Sequence, residues 1–250
     1  MAGCIALDRI LGKLDEYLHR NDYTAAERHL RFWLEETQAA GDPSTELTVR
    51  NELMGLYRKL GRREQAVEIA HSALQRIEQL GISRQVGAAT TYLNVATVYK
   101  AFGEAAEALP LYERAGEIYA RELPAEDPRI AGLCNNMALA LVDLGQYDRA
   151  SELYGKALQV LSANTGNEPE MAITHLNLAS LAEAKLDLED GWPEIEEHLG
   201  LARELLESYP KEDGNYAFVC EKCASVYGYY GFEDYARELA ERSGRIYAGN

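Results

Sequence analysis

Apolar and small residues recur along this chain at offsets of four and seven, the spacing of a single stripe on an α-helix. Five stretches carry it: Ala26-Leu30-Trp33, Ala66-Ala70-Ala73, Ala108-Tyr112-Ala115, Ala150-Tyr154-Ala157 and Ala236-Ala240-Ser243. A second stripe precedes each of the later ones: Leu53-Met54-Tyr57, Val95-Ala96-Tyr99, Met137-Ala138-Leu141 and Cys223-Ala224-Tyr227, with Leu178-Ala179-Ala182 in between. A glycine separates the two stripes at Gly61, Gly103, Gly145 and Gly231, and Asn21 takes the same place first. Gly or Asn after a helical run is the expected C-terminal cap, because both tolerate the left-handed conformation. Each unit is therefore predicted to be two amphipathic helices joined by a short turn.

The first three glycines lie 42 residues apart, and Gly231 follows after about two more periods. The pattern predicts about twelve helices in six pairs, as one array over residues 1–250. Its repeats are expected near 4–41, 44–81, 84–124, 127–165, 168–209 and 212–248. Breakers mark the boundaries: Gly41-Asp42-Pro43, Gly81, Pro124 to Pro128, Asn164 to Pro169, and Pro210 to Gly214. The fifth pair is irregular, with about four extra residues around Asp187 to Pro193. No alternation of strand type stands out.

Small and large residues at these offsets, Gly between the helices and Pro near the unit boundary together resemble the tetratricopeptide repeat. The 42-residue period is similar to the kinesin-light-chain type of that repeat. The stretch that carries the likeness best is Leu133-Cys134-Asn135-Asn136-Met137-Ala138 with Gly145-Gln146-Tyr147-Asp148-Arg149-Ala150. Arrays of HEAT and armadillo type have comparable periods but do not account for the alanine–aromatic–alanine stripe. The resemblance implies an all-α, right-handed superhelical solenoid of about six helix-turn-helix repeats. It also implies a concave groove lined by the first helix of each pair.

Nine residues before the junctions stand Glu52, Asn94, Asn136, Asn177 and Lys222. Asparagine is a mediocre helix former, so three in one register invite an explanation. An amide side chain offers a donor and an acceptor together, which matches the N–H and C=O of an extended peptide. The resemblance implies that Asn94, Asn136 and Asn177 hold a ligand backbone, with Asn51 and Asn135 one position earlier. The alternative reading is that these side chains bond neighbouring helices or face water. Arg58 and Lys100 are expected to add positive charge to the peptide site, in a second repeat that also carries Arg50, Lys59, Arg62 and Arg63. The fifth repeat is acidic: from Glu183 to Glu207 nine acids stand against Lys185 and Arg203, a net −7. An extended ligand could be oriented by that polarity, unless the charges form a solvated outer face. The basic clamp that some members close around a peptide C-terminus is missing, since its positions hold Leu93 and Gly132.

Composition narrows the partners. The formal net charge is −16 in 250 residues, which repels polyphosphate and anionic membrane surfaces. No nucleic-acid or membrane partner is expected, and no apolar run reaches the roughly 20 residues of a membrane span. Four cysteines are too few for a disulfide scaffold, so a reduced, cytoplasmic chain is expected. Ala2-Gly3-Cys4 imitates a lipoprotein cleavage box, but no basic and apolar segment precedes it.

Cys220-Glu221-Lys222-Cys223 lacks the second ligand pair a zinc site needs and falls on a packing stripe. No metal or other cofactor is expected. The sequence has no P-loop, dinucleotide-binding fingerprint, nucleophile elbow or H-E-x-x-H, so no enzymatic activity is expected. The remaining reading is a module that binds a protein or peptide partner, with a sensor of small signalling peptides as a variant. The rival is a self-associating scaffold. Tyr216, Tyr227, Tyr229, Tyr230, Tyr235 and Tyr247 crowd the last repeat, where they either fill the core or form a homodimer surface.

Overall fold

The computed structural model describes residues 6–210 and 212–249. Cys4 and the predicted helix start at Ile5 lie outside the described residues. Helical pairs follow one another as the pattern predicts: α1 (Leu7–His19), α2 (Tyr23–Ala40), α3 (Pro43–Lys59), α4 (Arg63–Leu80), α5 (Val86–Ala101) and α6 (Ala105–Glu122). They continue as α7 (Pro128–Asp143), α8 (Tyr147–Ser162), α9 (Glu168–Ser208), α10 (Gly214–Tyr229) and α11 (Glu233–Tyr247). These eleven contain twelve helical segments, because α9 is two helices meeting at Asp187, whose backbone is not helical. The fold is all-α, with no strand among the described residues.

The chain forms two compact units, Met1–Leu123 and Pro124–Asn250. In the first, α3 packs on α2, α4 and α5, while α5 also meets α4 and α6. In the second, α9 packs on α7, α8 and α10, and α10 meets α11. In both units hairpin partners pack on each other and successive pairs meet through α2·α3, α3·α5, α4·α5, α7·α9, α8·α9 and α9·α10, which is the stacking of a repeat array.

Local chemistry starts and stops the helices. Asp22, Asp42 and Asp213 each accept a backbone N–H three residues on, and Asp127 accepts that of Arg129. Such caps satisfy donors that have no partner inside the helix. Pro43 and Pro128 open α3 and α7, where a missing N–H costs nothing. At the hairpin turns Gly61, Gly103, Gly145 and Gly231 have φ of 66°, 82°, 70° and 86°, and Asn21 has 54°. The turn needs the left-handed region, so side chains with a Cβ are strained there.

The predicted stripes become the cores. Ala66, Ala70, Ala73, Leu53 and Tyr57 are fully buried in the first unit, Tyr154, Ala157, Ala179, Leu199 and Cys223 in the second. Cys134 and Cys220 are buried too, and burial pushes the Cys223 thiol up to about 12. The extra residues of the fifth pair, after Asp187, form the opening turns of the second limb of α9, Pro193 included. One expectation shifts. In the last helix the buried residues are Tyr235, Leu239 and Ser243, while Ala240 is exposed. Nothing among the described residues packs on its outer side, so burial is limited to the inner face.

Candidate functional site

The first helices of the pairs carry the asparagine register. In the first unit Asn94 sits mid-way along α5, half-buried between Leu93 and the fully buried Val95. Its side chain makes no hydrogen bond with any described residue. Asn51, on α3, is different. Its amide donates to the Thr91 hydroxyl on α5 at 3.3 Å, and its Oδ1 is buried without a partner. Arg58 is exposed at the end of α3 and Lys100 is half-exposed near the end of α5. Glu52 occupies the asparagine register on α3. Burial, and then the nearby Asp15 carboxylate, push its carboxyl above the usual range.

In the second unit Asn136 on α7 is half-buried, and its amide donates to the Gly132 carbonyl one turn back at 2.8 Å. Its Oδ1 stays open. Asn177 on the first limb of α9 is half-buried and, like Asn94, has no hydrogen-bond partner among the described residues. Asn135 repeats the geometry of Asn51: its amide donates to the Thr174 hydroxyl on α9 at 2.9 Å, and its Oδ1 is buried and unpaired. Lys222, in the same register on α10, lies over the Phe218 ring at 4.8 Å.

The five asparagines therefore split. Asn51 and Asn135 tie one pair of helices to the next. Asn94 and Asn177 keep donor and acceptor free, and Asn136 keeps its acceptor. An amide with both functions free can pair with the N–H and C=O of one extended residue.

Most of the second-repeat cations are spent inside the fold. Arg50 is buried, and its guanidinium donates to Glu46 Oε1 at 2.8 Å and to the Ser72 hydroxyl at 2.6 Å. Glu46, 1% exposed, accepts also from Arg76 at 2.9 Å. Arg62 pairs with Glu27 at 2.6 Å, Arg63 pairs with Glu104, and Lys59 lies over the Tyr23 ring at 5.3 Å. The exposed Arg58 has no such pairing. In the fifth repeat Glu183 accepts from the Tyr229 and Tyr230 hydroxyls, and Glu207 from Tyr235 and Arg242. Asp187, Glu189, Asp190, Glu194, Glu196, Glu197 and Glu204 remain an exposed acidic surface.

Pattern reading missed Thr91 and Thr174. Both are fully buried, and both return a hydrogen bond to the carbonyl one turn back, at Gly87 and Glu170. Each follows its asparagine donor by 40 or 39 residues, about one repeat, and that spacing is the signal that could have found them.

Residues 45–121 and 130–162 match family models of the tetratricopeptide repeat. Over 167 residues, 65% of this chain, the sequence is 29% identical to Protein KINESIN LIGHT CHAIN-RELATED 1 of Arabidopsis thaliana, of which it spans 26%. In fold it is similar to nearly identical TPR-like repeats from Podosopora anserina. That likeness has a TM-score of 0.55 and 22% identity, over 82% of this chain and 96% of the other. It is also similar to NprR in complex with its cognate peptide NprX, with a TM-score of 0.59 and 18% identity, over 95% of this chain and 66% of that one. No described helix is long and apolar enough to cross a membrane.

Proposed function

The chain is a tetratricopeptide-repeat protein with kinesin-light-chain-like repeats, and from that premise we propose that it works without catalysis, as a module that holds an extended peptide segment of a partner protein. The observation that carries this reading is the free amide pair. Asn94 and Asn177 sit mid-helix, half-exposed, with neither donor nor acceptor used. A mid-helix asparagine costs helix propensity relative to alanine, so an unused amide there has no structural return. In the first unit Asn94 reads the peptide backbone, and Arg58 and Lys100 add positive charge to the peptide site. Asn136 and Asn177 read it in the second, and Asn51 and Asn135 hold the first helices that present them. The likeness to NprR, solved with its cognate peptide, supports a peptide as the ligand class. The fully buried thiols suit a reducing, cytoplasmic setting.

The test is affinity capture from a lysate, with wild type against an Asn94→Ala, Asn177→Ala double variant of unchanged helicity. A partner retained by wild type and lost by the variant supports the reading. A partner retained equally by both overturns it.

A second reading, self-association, is favoured by one observation. Tyr229 and Tyr247 are 70% and 38% exposed on the last pair, which also exposes Ala240. Tyr216, Tyr227, Tyr230 and Tyr235 are buried and belong to the core instead. Light scattering over a range of concentrations decides it: a dimer weakened by Tyr229→Ser favours the scaffold.

A further inference from the structure

From the second helical pair onward, one place faces the partner helix across the hairpin seam and carries a different polar couple each time. Arg50 meets Ser72, Tyr92 lies under the Arg114 guanidinium at 4.4 Å, and Lys156 acts on the Cys134 thiol. In the last pair Arg242 reaches Tyr216 and Cys220. In the fifth pair both sides are histidine. His175 on the first limb of α9 and His198 on the second bring their Nδ1 atoms to 3.3 Å, with ring centroids 5.3 Å apart. Each ring is half-buried.

We propose that His175 and His198 form a two-histidine seat for a divalent transition-metal ion. The geometry fits. Metal–imidazole bonds of about 2.0–2.1 Å in a tetrahedral site place two ligand nitrogens roughly 3.3–3.4 Å apart, which is the Nδ1···Nδ1 spacing of this pair. The two limbs are antiparallel halves of one hairpin, so the ligands sit on rigid elements rather than loops. Charge fits as well. Glu194 stands one turn before His198 and acts electrostatically on it, and Glu197, adjoining His198, acts on both rings. They belong to the stretch of net charge −7, which raises the local concentration of a divalent cation.

Among the described residues no third His, Cys, Asp or Glu completes a preformed set. The ion therefore keeps water in its remaining positions. Imidazole donors select Zn²⁺, Ni²⁺, Cu²⁺ or Co²⁺ over Ca²⁺ or Mg²⁺.

The experiment titrates the full chain with ZnCl₂, CoCl₂ and, as control, MgCl₂ at pH 7.5 by calorimetry. Wild type is compared with His175→Ala and His198→Ala after circular dichroism has verified their helicity. The expected result is one zinc or cobalt ion per chain, no magnesium, and binding weakened in each variant by more than about tenfold, since even outer-shell partners are worth that much. If the variants misfold, ¹⁵N-imidazole NMR on wild type replaces them, and zinc must shift the Nδ1 resonances of these two rings. Equal binding by wild type and folded variants, resonances that zinc leaves unmoved, or no binding at all overturns the proposal and leaves the pair a hydrogen bond across the seam.

Discussion

The Asn135 amide on α7 donates to the Thr174 hydroxyl on α9 at 2.9 Å. The bond crosses from one repeat to the next and repeats the Asn51–Thr91 bond of the first unit. A hydrogen bond of this kind contributes about 1 kcal/mol, and stranding a buried partner costs about 1–3 kcal/mol. Thr174→Val is therefore expected to lower stability by about 1–3 kcal/mol, because it strands the Asn135 amide. Asn177→Ala, which breaks no bond, should stay within about 0.5 kcal/mol of wild type. Urea unfolding monitored by helicity measures both; equal losses would contradict the division of the asparagines into structural and ligand-facing sets.

Glu46 is the hub of the first unit's buried polar network, accepting from Arg50, Arg76 and, at 3.4 Å, the Gln38 amide. Removing one partner of a buried pair leaves an uncompensated charge and costs about 3–5 kcal/mol. Glu46→Ala should therefore destabilise the first unit by several kcal/mol. Arg76→Ala, at a side chain 29% exposed, should cost much less. A Glu46→Ala loss no larger than that of Arg76→Ala would show that Arg50 escapes to solvent.

Asp187 has φ 63° and ψ −179°, a backbone region essentially reserved for glycine, where strain costs about 1–3 kcal/mol. Its carboxylate offsets the strain by accepting the N–H of Glu189 at 3.0 Å and of Asp190 at 3.1 Å. Asp187→Ala keeps the strain and loses the cap, so about 1–2 kcal/mol of stability should go. Asp187→Gly relieves the strain while losing the cap and should fall closer to wild type. Thermal unfolding of the two variants gives the order directly; Asp187→Gly falling below Asp187→Ala would refute it.

Acid should weaken the fold at two identified carboxylates. Burial pulls the Glu27 carboxyl up, but bonds from Tyr57, Arg62 and Arg31 outweigh it and hold the group below its usual range. Glu207 is lowered in the same way against burial, by Arg242 and Tyr235. A carboxyl with a lower folded pKa contributes stability above the unfolded value, near 4.3, and loses it as pH falls further. Glu52 runs the other way: its raised pKa makes the ionised form costly, so Glu52→Gln should stabilise the protein at neutral pH. Unfolding free energies from pH 7 to pH 3 should fall, with a shallower fall in Glu27→Gln. An unchanged slope in that variant would remove Glu27 from the account.

Helix pairing, the turn residues and the alanine–aromatic stripes were legible in the sequence, because each depends on the spacing of neighbours along the chain. Gly145 needs only its own φ, and Ala150, Tyr154 and Ala157 need only the 3.6-residue period. The asparagine register at Asn94, Asn136 and Asn177 was legible for the same reason. Which asparagines are free was decided by tertiary structure, since whether an amide is spent depends on what the next repeat places 39 or 40 residues away. The same holds for Arg50, which counts as a positive charge in the sequence but is buried against Glu46 in the fold. It holds too for His175 and His198, which share no local motif and meet only because the α9 hairpin closes at Asp187. Periodicity along one chain fixes which face of a helix turns inward; only the packing of one helix on another decides which polar groups on that face find each other.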